Sequence, residues 1–122
     1  MRVLVIEDQV DSAEFLTLYL NRMGFEVRIA TTCEEAKQVF ADYLADVCVM
    51  DLGLPDGNGC DLLHELINVR DVPAIAVTGR STPDDIKLIS ECGFKTWLIK
   101  PVAPEEIVAA IRQVCTIKRL IV

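Results

Sequence analysis

Short apolar runs rich in β-branched residues alternate along this chain with segments whose apolar residues recur at helical spacing. The runs are Val3–Ile6, Val27–Ala30, Val47–Met50, Ala74–Val77 and Trp97–Ile99. Between them, Ala13, Leu16, Leu20 and Met23 follow i, i+3, i+7, i+10. Ala36, Val39, Phe40, Tyr43 and Leu44 follow i, i+3, i+4, i+7, i+8, as do Ile107, Ala110, Ile111, Val114 and Cys115. Leu62, Leu63, Leu66 and Ile67 predict a shorter helix, and Ile86, Ile89 and Cys92 another. A strand followed each time by a helix predicts parallel pairing, because the helix is the crossover. Most of the runs are apolar throughout, as strands are when helices cover both faces of a sheet. With right-handed crossovers, 122 residues predict one α/β domain over residues 1–122. Its expected form is a flavodoxin-like doubly wound five-stranded parallel sheet, order 2-1-3-4-5, with five helices.

Local punctuation agrees. Asp11 and Glu14 have the spacing of an N-cap and N3 pair, and Gly24 follows the end of that helix. Ser81 or Thr82 before Pro83 marks a helix start and Gly93 its stop. Pro104-Glu105-Glu106 opens the last helix with acids at the positive end of its dipole, and the Glu34-Glu35 and Asp84-Asp85 pairs suit helix N-termini likewise.

Charge narrows the function. Twelve basic against 19 acidic residues leave a net charge of −7, which disfavours direct nucleic-acid binding and favours divalent cations and basic partners. Apolar stretches such as Val3–Ile6 are too short to cross a bilayer or to form a secretory core, so the chain reads as cytoplasmic, with no membrane partner. The five cysteines include no C-x-x-C, which removes support for zinc or thioredoxin-type chemistry. Cys48 and Cys115, in apolar company, read as small core residues of a reducing cytosol.

A doubly wound sheet places its site outside the carboxyl ends of the strands. The polar residues there are Glu7 and Asp8 after the first strand, Asp51 after the third, Thr78 with Gly79 after the fourth, and Lys100 with Pro101 after the fifth. Three carboxylates at one point cannot all ionise cheaply, so either one keeps a proton or a cation neutralises them. Oxygen ligands with room for water suit Mg²⁺ or Mn²⁺. Carboxylate, hard cation, ammonium and hydroxyl together match the needs of phosphoryl transfer to an aspartate. Gly53 and Gly79 leave space for the incoming group.

These residues carry a resemblance. V-L-V-I-E-D (Val3–Asp8), V-C-V-M-D-L-G-L-P-D-G-N-G (Val47–Gly59), A-V-T-G (Ala76–Gly79) and K-P (Lys100-Pro101) are weak singly. In this order, at these strand ends, the chain resembles the receiver domain of bacterial two-component response regulators. The resemblance implies that Asp51 is the phosphoacceptor and Asp8 a direct Mg²⁺ ligand. It makes Glu7 a ligand through a water and the Gly53 backbone carbonyl a further ligand. It makes Thr78 and Lys100 partners of the phosphoryl group, with the Lys100–Pro101 bond cis. Trp97 stands where the family carries a smaller aromatic that toggles between rotamers, so Thr78 and Trp97 are the implied switch. Implied partners are a histidine kinase or histidine phosphotransfer protein, and a downstream protein or a fused output domain. A homodimer through the fourth helix, fifth strand and fifth helix is also a family arrangement. The chain is then not an enzyme beyond phosphorylation and dephosphorylation of its own Asp51.

Departures from the family pattern are specific. Trp97 is bulkier than the usual toggle, and Val102 replaces a common Phe. Lys95-Thr96 stands where many DNA-binding members carry acids, which weakens that charged dimer interface. Gly53 offers no side chain against an attacking water. Arg80, two residues after Thr78, is the expected modulator of aspartyl-phosphate lifetime.

Other features read more plainly. His64 lies among leucines as a surface residue, Asp56-Gly57-Asn58-Gly59 is turn chemistry, and Phe15, Tyr19, Phe40 and Tyr43 are packing residues at helical spacing. Around the basic step Lys118-Arg119, the residues Ile117, Leu120, Ile121 and Val122 continue the last helix and pack, mark a cut within a longer protein, or form a partner-binding end. A flavodoxin would need a Ser/Thr/Gly-rich loop where Glu7-Asp8-Gln9-Val10-Asp11 stands, which would repel a flavin phosphate. A haloacid-dehalogenase-type enzyme would need an Asp where Gly53 stands, and a substrate cap. The remaining alternative is a phosphorylation-independent, receiver-like binding module.

Overall fold

The computed structural model describes the backbone of residues 1–121 and the side chains of residues 1–115. In chain order the elements are β1 (Arg2–Ile6), α1 (Val10–Arg22), β2 (Glu26–Ala30), α2 (Cys33–Asp42) and β3 (Val47–Asp51). A two-residue hairpin follows, β4 (Gly53–Leu54) and β5 (Gly57–Asn58), then α3 (Gly59–Val69) and β6 (Ala74–Thr78). The chain continues through α4 (Pro83–Glu91), β7 (Thr96–Ile99) and α5 (Pro104–Ile121). The main sheet is parallel, in the order β2-β1-β3-β6-β7. This is the expected doubly wound order once the hairpin takes two labels.

Alternation along the all-apolar strands builds two cores. Val3, Val5, Val49 and Ile75 point to one face and pack with Leu20, Ile107 and Ile111 of α1 and α5. Leu4, Ile6, Cys48, Met50 and Ala76 point to the other and pack with Phe40, Leu62, Leu63, Leu66 and Ile89 of α2, α3 and α4. Every residue of β3 and β6 is buried, which places the third and fourth apolar runs at the centre of the molecule.

Helix ends follow the expected chemistry, with two corrections, at the start of α1 and the end of α2. Gly24 and Gly93 adopt φ of +93° and +102°, the left-handed conformation that ends a helix. Thr82, not Ser81, caps α4 and forms a reciprocal capping box with Asp85. The cap of α1 is Gln9 and uses no side-chain bond; Asp11 lies inside the first turn, where it still faces the positive end of the dipole. Helix α2 stops at Asp42, so Tyr43 and Leu44 do not extend it. Arg70 instead donates to the carbonyls of Phe40 and Tyr43 at 3.2 and 3.0 Å, satisfying the groups that another turn would have used. Tyr43 remains buried, whereas Leu44 and Phe15 are exposed.

Cys48 and Cys115 are buried as expected. Cys60 and Cys92, for which the sequence carried no reading, are joined by a disulfide between α3 and the end of α4. His64 is exposed on α3. The backbone of α5 runs to Ile121; the packing or partner contact read for Ile117, Leu120, Ile121 and Val122 beside Lys118-Arg119 lies outside the described residues.

Candidate functional site

Strand register assembles the acids. Ile6 pairs with Met50 across β1 and β3, so Glu7 emerges beside Asp51. The Glu7 N–H still donates to the Ala30 carbonyl at 2.9 Å, and the chain leaves the sheet just beyond it, which lets Asp8 turn towards the same point. Glu7, Asp8 and Asp51 each bring a carboxylate oxygen to within 4.8 Å of the others. This is the one such group of potential metal ligands among the described residues.

Asp51, at the end of β3, is only 8% exposed. Its Oδ1 accepts the Gly53 N–H at 3.0 Å and its Oδ2 accepts a proton of Lys100 Nζ at 2.7 Å. Thr78, 3% exposed at the end of β6, accepts the Arg80 N–H on its Oγ1 at 3.0 Å, so its own hydroxyl proton remains to donate. The Lys100 N–H donates to the Thr78 carbonyl at 2.8 Å, which ties the end of β7 to the end of β6. The Lys100–Pro101 bond is cis. A Cβ on Gly53 would stand 3.9 Å from Asp51 Oδ1, and one on Gly79 would meet nothing within 4 Å, so both flank open space.

The charges are shared unequally. Burial, followed by the hydrogen bond and the charge of Asp51, pushes Glu7 up to about 7. Burial acts on Asp51 in the same direction, but hydrogen bonds from Glu7, Lys100 and the Gly53 N–H outweigh it and hold Asp51 below the usual carboxylate range. Burial opposes the charge on Lys100, and its bond to Asp51 overcomes this and raises it. Glu7 thus holds a proton more readily than Asp51, whose carboxyl favours the anion.

A cavity of about 540 Å³ opens beside the site. Glu7, Asp51 and Lys100 line one part of it, and Ser12, Leu16 and Ile107 of α1 and α5 line another. Trp97 pairs with Ala76 in the sheet and is half-buried against the α2–α3 core. Arg80 is exposed next to the buried Thr78.

Two residues do more than the turn role read for them. Asp56 accepts the N–H groups of Cys33 and Glu34 at 2.7 and 3.1 Å, pinning the loop after Asp51 to the start of α2. No sequence pattern signals that contact, which spans 23 residues. Asn58 caps α3 through the Asp61 N–H at 2.8 Å, and the Asn58-x-x-Asp61 spacing was a readable sign of it.

A doubly wound sheet carrying an acid cluster, a lysine and a hydroxyl at the ends of its strands defines a receiver-type α/β domain. The chain belongs to the response regulator receiver domain family, whose model it matches over residues 3–112. It is 32% identical over 91% of its length to the DNA-binding response regulator MtrA of Mycolicibacterium paratuberculosis, covering 49% of that protein. It is 34% identical over 92% of its length to the sensory transduction protein RegX3 of Mycobacterium bovis, covering 49% of that one. The chain therefore spans about half the length of these curated relatives. A response regulator receiver domain protein from Clostridium thermocellum superposes with a TM-score of 0.90 at 27% identity, over 99% of this chain and 98% of that one. Among the described residues no helix is long and apolar enough to cross a membrane.

Proposed function

We propose that this receiver domain accepts a phosphoryl group on Asp51 and changes its protein contacts in response. The observation that carries the reading is the buried Asp51 carboxylate, held by Lys100 at 2.7 Å inside a group of three acids. A carboxylate oxygen of Asp51 attacks phosphorus, the P–N bond of a phosphohistidine or the P–O bond of a small acyl phosphate breaks, and an acyl phosphate forms. Lys100 then faces the phosphoryl oxygens, and the free hydroxyl proton of Thr78 donates to one of them. The Gly53 N–H holds Asp51 Oδ1 in position. The all-oxygen donor set fits a hard divalent ion: Asp8 and Asp51 through carboxylates, Gly53 through its carbonyl and Glu7 through a water would hold Mg²⁺ or Mn²⁺. When bound, that ion supplies positive charge against the charge that develops in transfer.

The donor is a histidine kinase or a histidine phosphotransfer protein, and the 540 Å³ cavity beside Asp51 is the route by which a donor imidazole reaches it. Thr78 and Trp97 carry the change towards α4, β7 and α5, where Leu88 and Ile99 expose apolar surface to a downstream protein, a fused output domain or a second receiver. With its net charge of −7 the domain itself does not contact nucleic acid. It works in the cytoplasm and catalyses nothing beyond the turnover of its own phosphoryl group.

Trp97 is the single tryptophan and reports on the site. Mg²⁺ titration followed by acetyl phosphate should change its emission saturably, with one phosphoryl added by intact mass, and both signals should vanish in Asp51→Asn. A wild type that takes up no phosphoryl group in Mg²⁺ would sink the reading and leave the phosphorylation-independent binding module.

A further inference from the structure

Cys60 and Cys92 are joined across 32 residues, with Cα atoms 5.4 Å apart. Cys60 is the second residue of α3, directly after the acceptor loop, and Cys92 caps the C-terminus of α4. The covalent loop thus contains α3, β6 with Thr78, the Gly79–Thr82 connection and all of α4. Apart from the capping box at its N-terminus, helix α4 has little else to hold it: of its nine residues only Ile89 is buried, and Leu88 is 58% exposed. A helix with so small a packed face sits at the low end of local stability. The bond fastens its C-terminal end to the well-buried α3.

The two sulfurs also differ from the other thiols. Cys60 and Cys92 are half-buried, whereas Cys33, Cys48 and Cys115 are buried. Burial pushes the Cys33 thiol up to about 11 and the Cys48 thiol up to about 12, which leaves them as poor nucleophiles. The positions within the helices set a direction for exchange. The N-terminus of α3 favours a thiolate on Cys60, and the C-terminus of α4 disfavours one on Cys92.

We propose that Cys60–Cys92 is a reversible dithiol–disulfide site, reduced by a thioredoxin-class dithiol, that locks α4 to α3 when oxidised and frees it when reduced. A thiolate of the reductant attacks Cys92 Sγ, the S–S bond breaks, and Cys60 leaves as a thiolate. The second thiol of the reductant then attacks its own sulfur in the mixed disulfide and expels Cys92. Two electrons and two protons pass to the protein, and the reductant leaves as its disulfide. The bearing on signalling rests on the receiver reading above, because α4 belongs to the surface that reading assigns to output. The exchange chemistry and the freedom of α4 do not rest on it.

The test uses the full chain, oxidised with diamide or reduced with a dithiol, in the absence of any phosphodonor. Native alkylation with N-ethylmaleimide, read by intact mass and peptide mapping, should label Cys60 and Cys92 only in the reduced form and leave Cys33 and Cys48 unlabelled in both. Amide hydrogen exchange in residues 83–92 should speed up roughly tenfold or more on reduction, at denaturant concentrations too low to unfold β3 and β6. The melting temperature should fall by roughly 5–15 °C. A Cys60→Ser/Cys92→Ser variant should match the reduced wild type in either redox state. When the mixed disulfide is trapped with a single-cysteine reductant, it should be found on Cys92. Labelling of Cys60 and Cys92 after diamide, or equal α4 exchange in the two states, would overturn the proposal. Should the labelling and exchange behave as expected while Asp51 takes up no phosphoryl group, the redox site stands and only the receiver chemistry fails.

Discussion

Lys100 and Asp51 are 49 residues apart in the chain, and their charged atoms meet at 2.7 Å. The carboxylate is almost fully buried, so the ammonium group stabilises a charge that burial alone would expel. Replacing Lys100 by Met should slow phosphoryl uptake from acetyl phosphate by about 10²–10³-fold, the usual loss when one fixed donor to a developing anion is removed. Rates of phosphoryl incorporation by intact mass check this. Glu7 makes a prediction of opposite character. Its folded value of about 7 stands above its ordinary 4.5, so its neutral form contributes stability that is complete below about pH 4.5 and is lost as pH rises through 7. Asp51 is shifted the other way, and its contribution is lost only on acidification below its ordinary value of 3.8. In EDTA the melting temperature should therefore decline between about pH 5 and 8. Glu7→Gln, which cannot ionise, should flatten that decline; an unaltered slope would count against the assignment. Arg80 is exposed beside Thr78, and Arg80→Ala should shorten the aspartyl-phosphate lifetime about two- to fivefold, as befits one solvent-screened charge contact. An unchanged dephosphorylation rate would remove Arg80 from the site.

Among the elements, α3 and α4 are held in different ways. Helix α3 buries Leu62, Leu63 and Leu66 and begins at Gly59, where a Cβ would come within 3.1 Å of the Leu52 Cα. Because backbone cannot yield as a flexible side chain does, Gly59→Ala should cost about 1–3 kcal/mol in urea unfolding and disturb the loop that carries Gly53. Helix α4 depends on its ends. Thr82 both accepts the Asp85 N–H and bonds its carboxylate, so Thr82→Ala should cost about 1 kcal/mol, with the loss seen first as faster amide exchange in residues 83–86. The helical periods, the glycine stops and the acids in the first turns were legible in the sequence, because each depends on neighbours within a turn or two. The end of α2 was not. The i+7 and i+8 spacing of Tyr43 and Leu44 continues the helix on paper, but Arg70, 27 residues beyond Tyr43, takes the carbonyls there.

At the scale of the whole molecule, two cores share one sheet, and stability is concentrated in them. Phe40 is fully buried in the α2–α3 core; Phe40→Ala should destabilise by about 3–5 kcal/mol. Leu88→Ala, on the exposed face of α4, should stay within about 0.5 kcal/mol. Chemical unfolding of the two variants side by side checks the contrast.

The sequence by itself determined the layers, the strand order and the set of polar residues at the strand ends. Those depend on short-range periodicity, on the handedness of crossovers and on the rule that places sites at the carboxyl ends of parallel strands. Only the tertiary structure decided how charge is divided in the pocket, with the Glu7 carboxyl pushed up and that of Asp51 held down, because burial and hydrogen bonding are properties of the assembled site. It alone joined Cys60 to Cys92 and Asp56 to α2, contacts made by residues 32 and 23 positions apart. Chain patterns record what a residue's neighbours require of it; the partners it meets across the fold are set by packing.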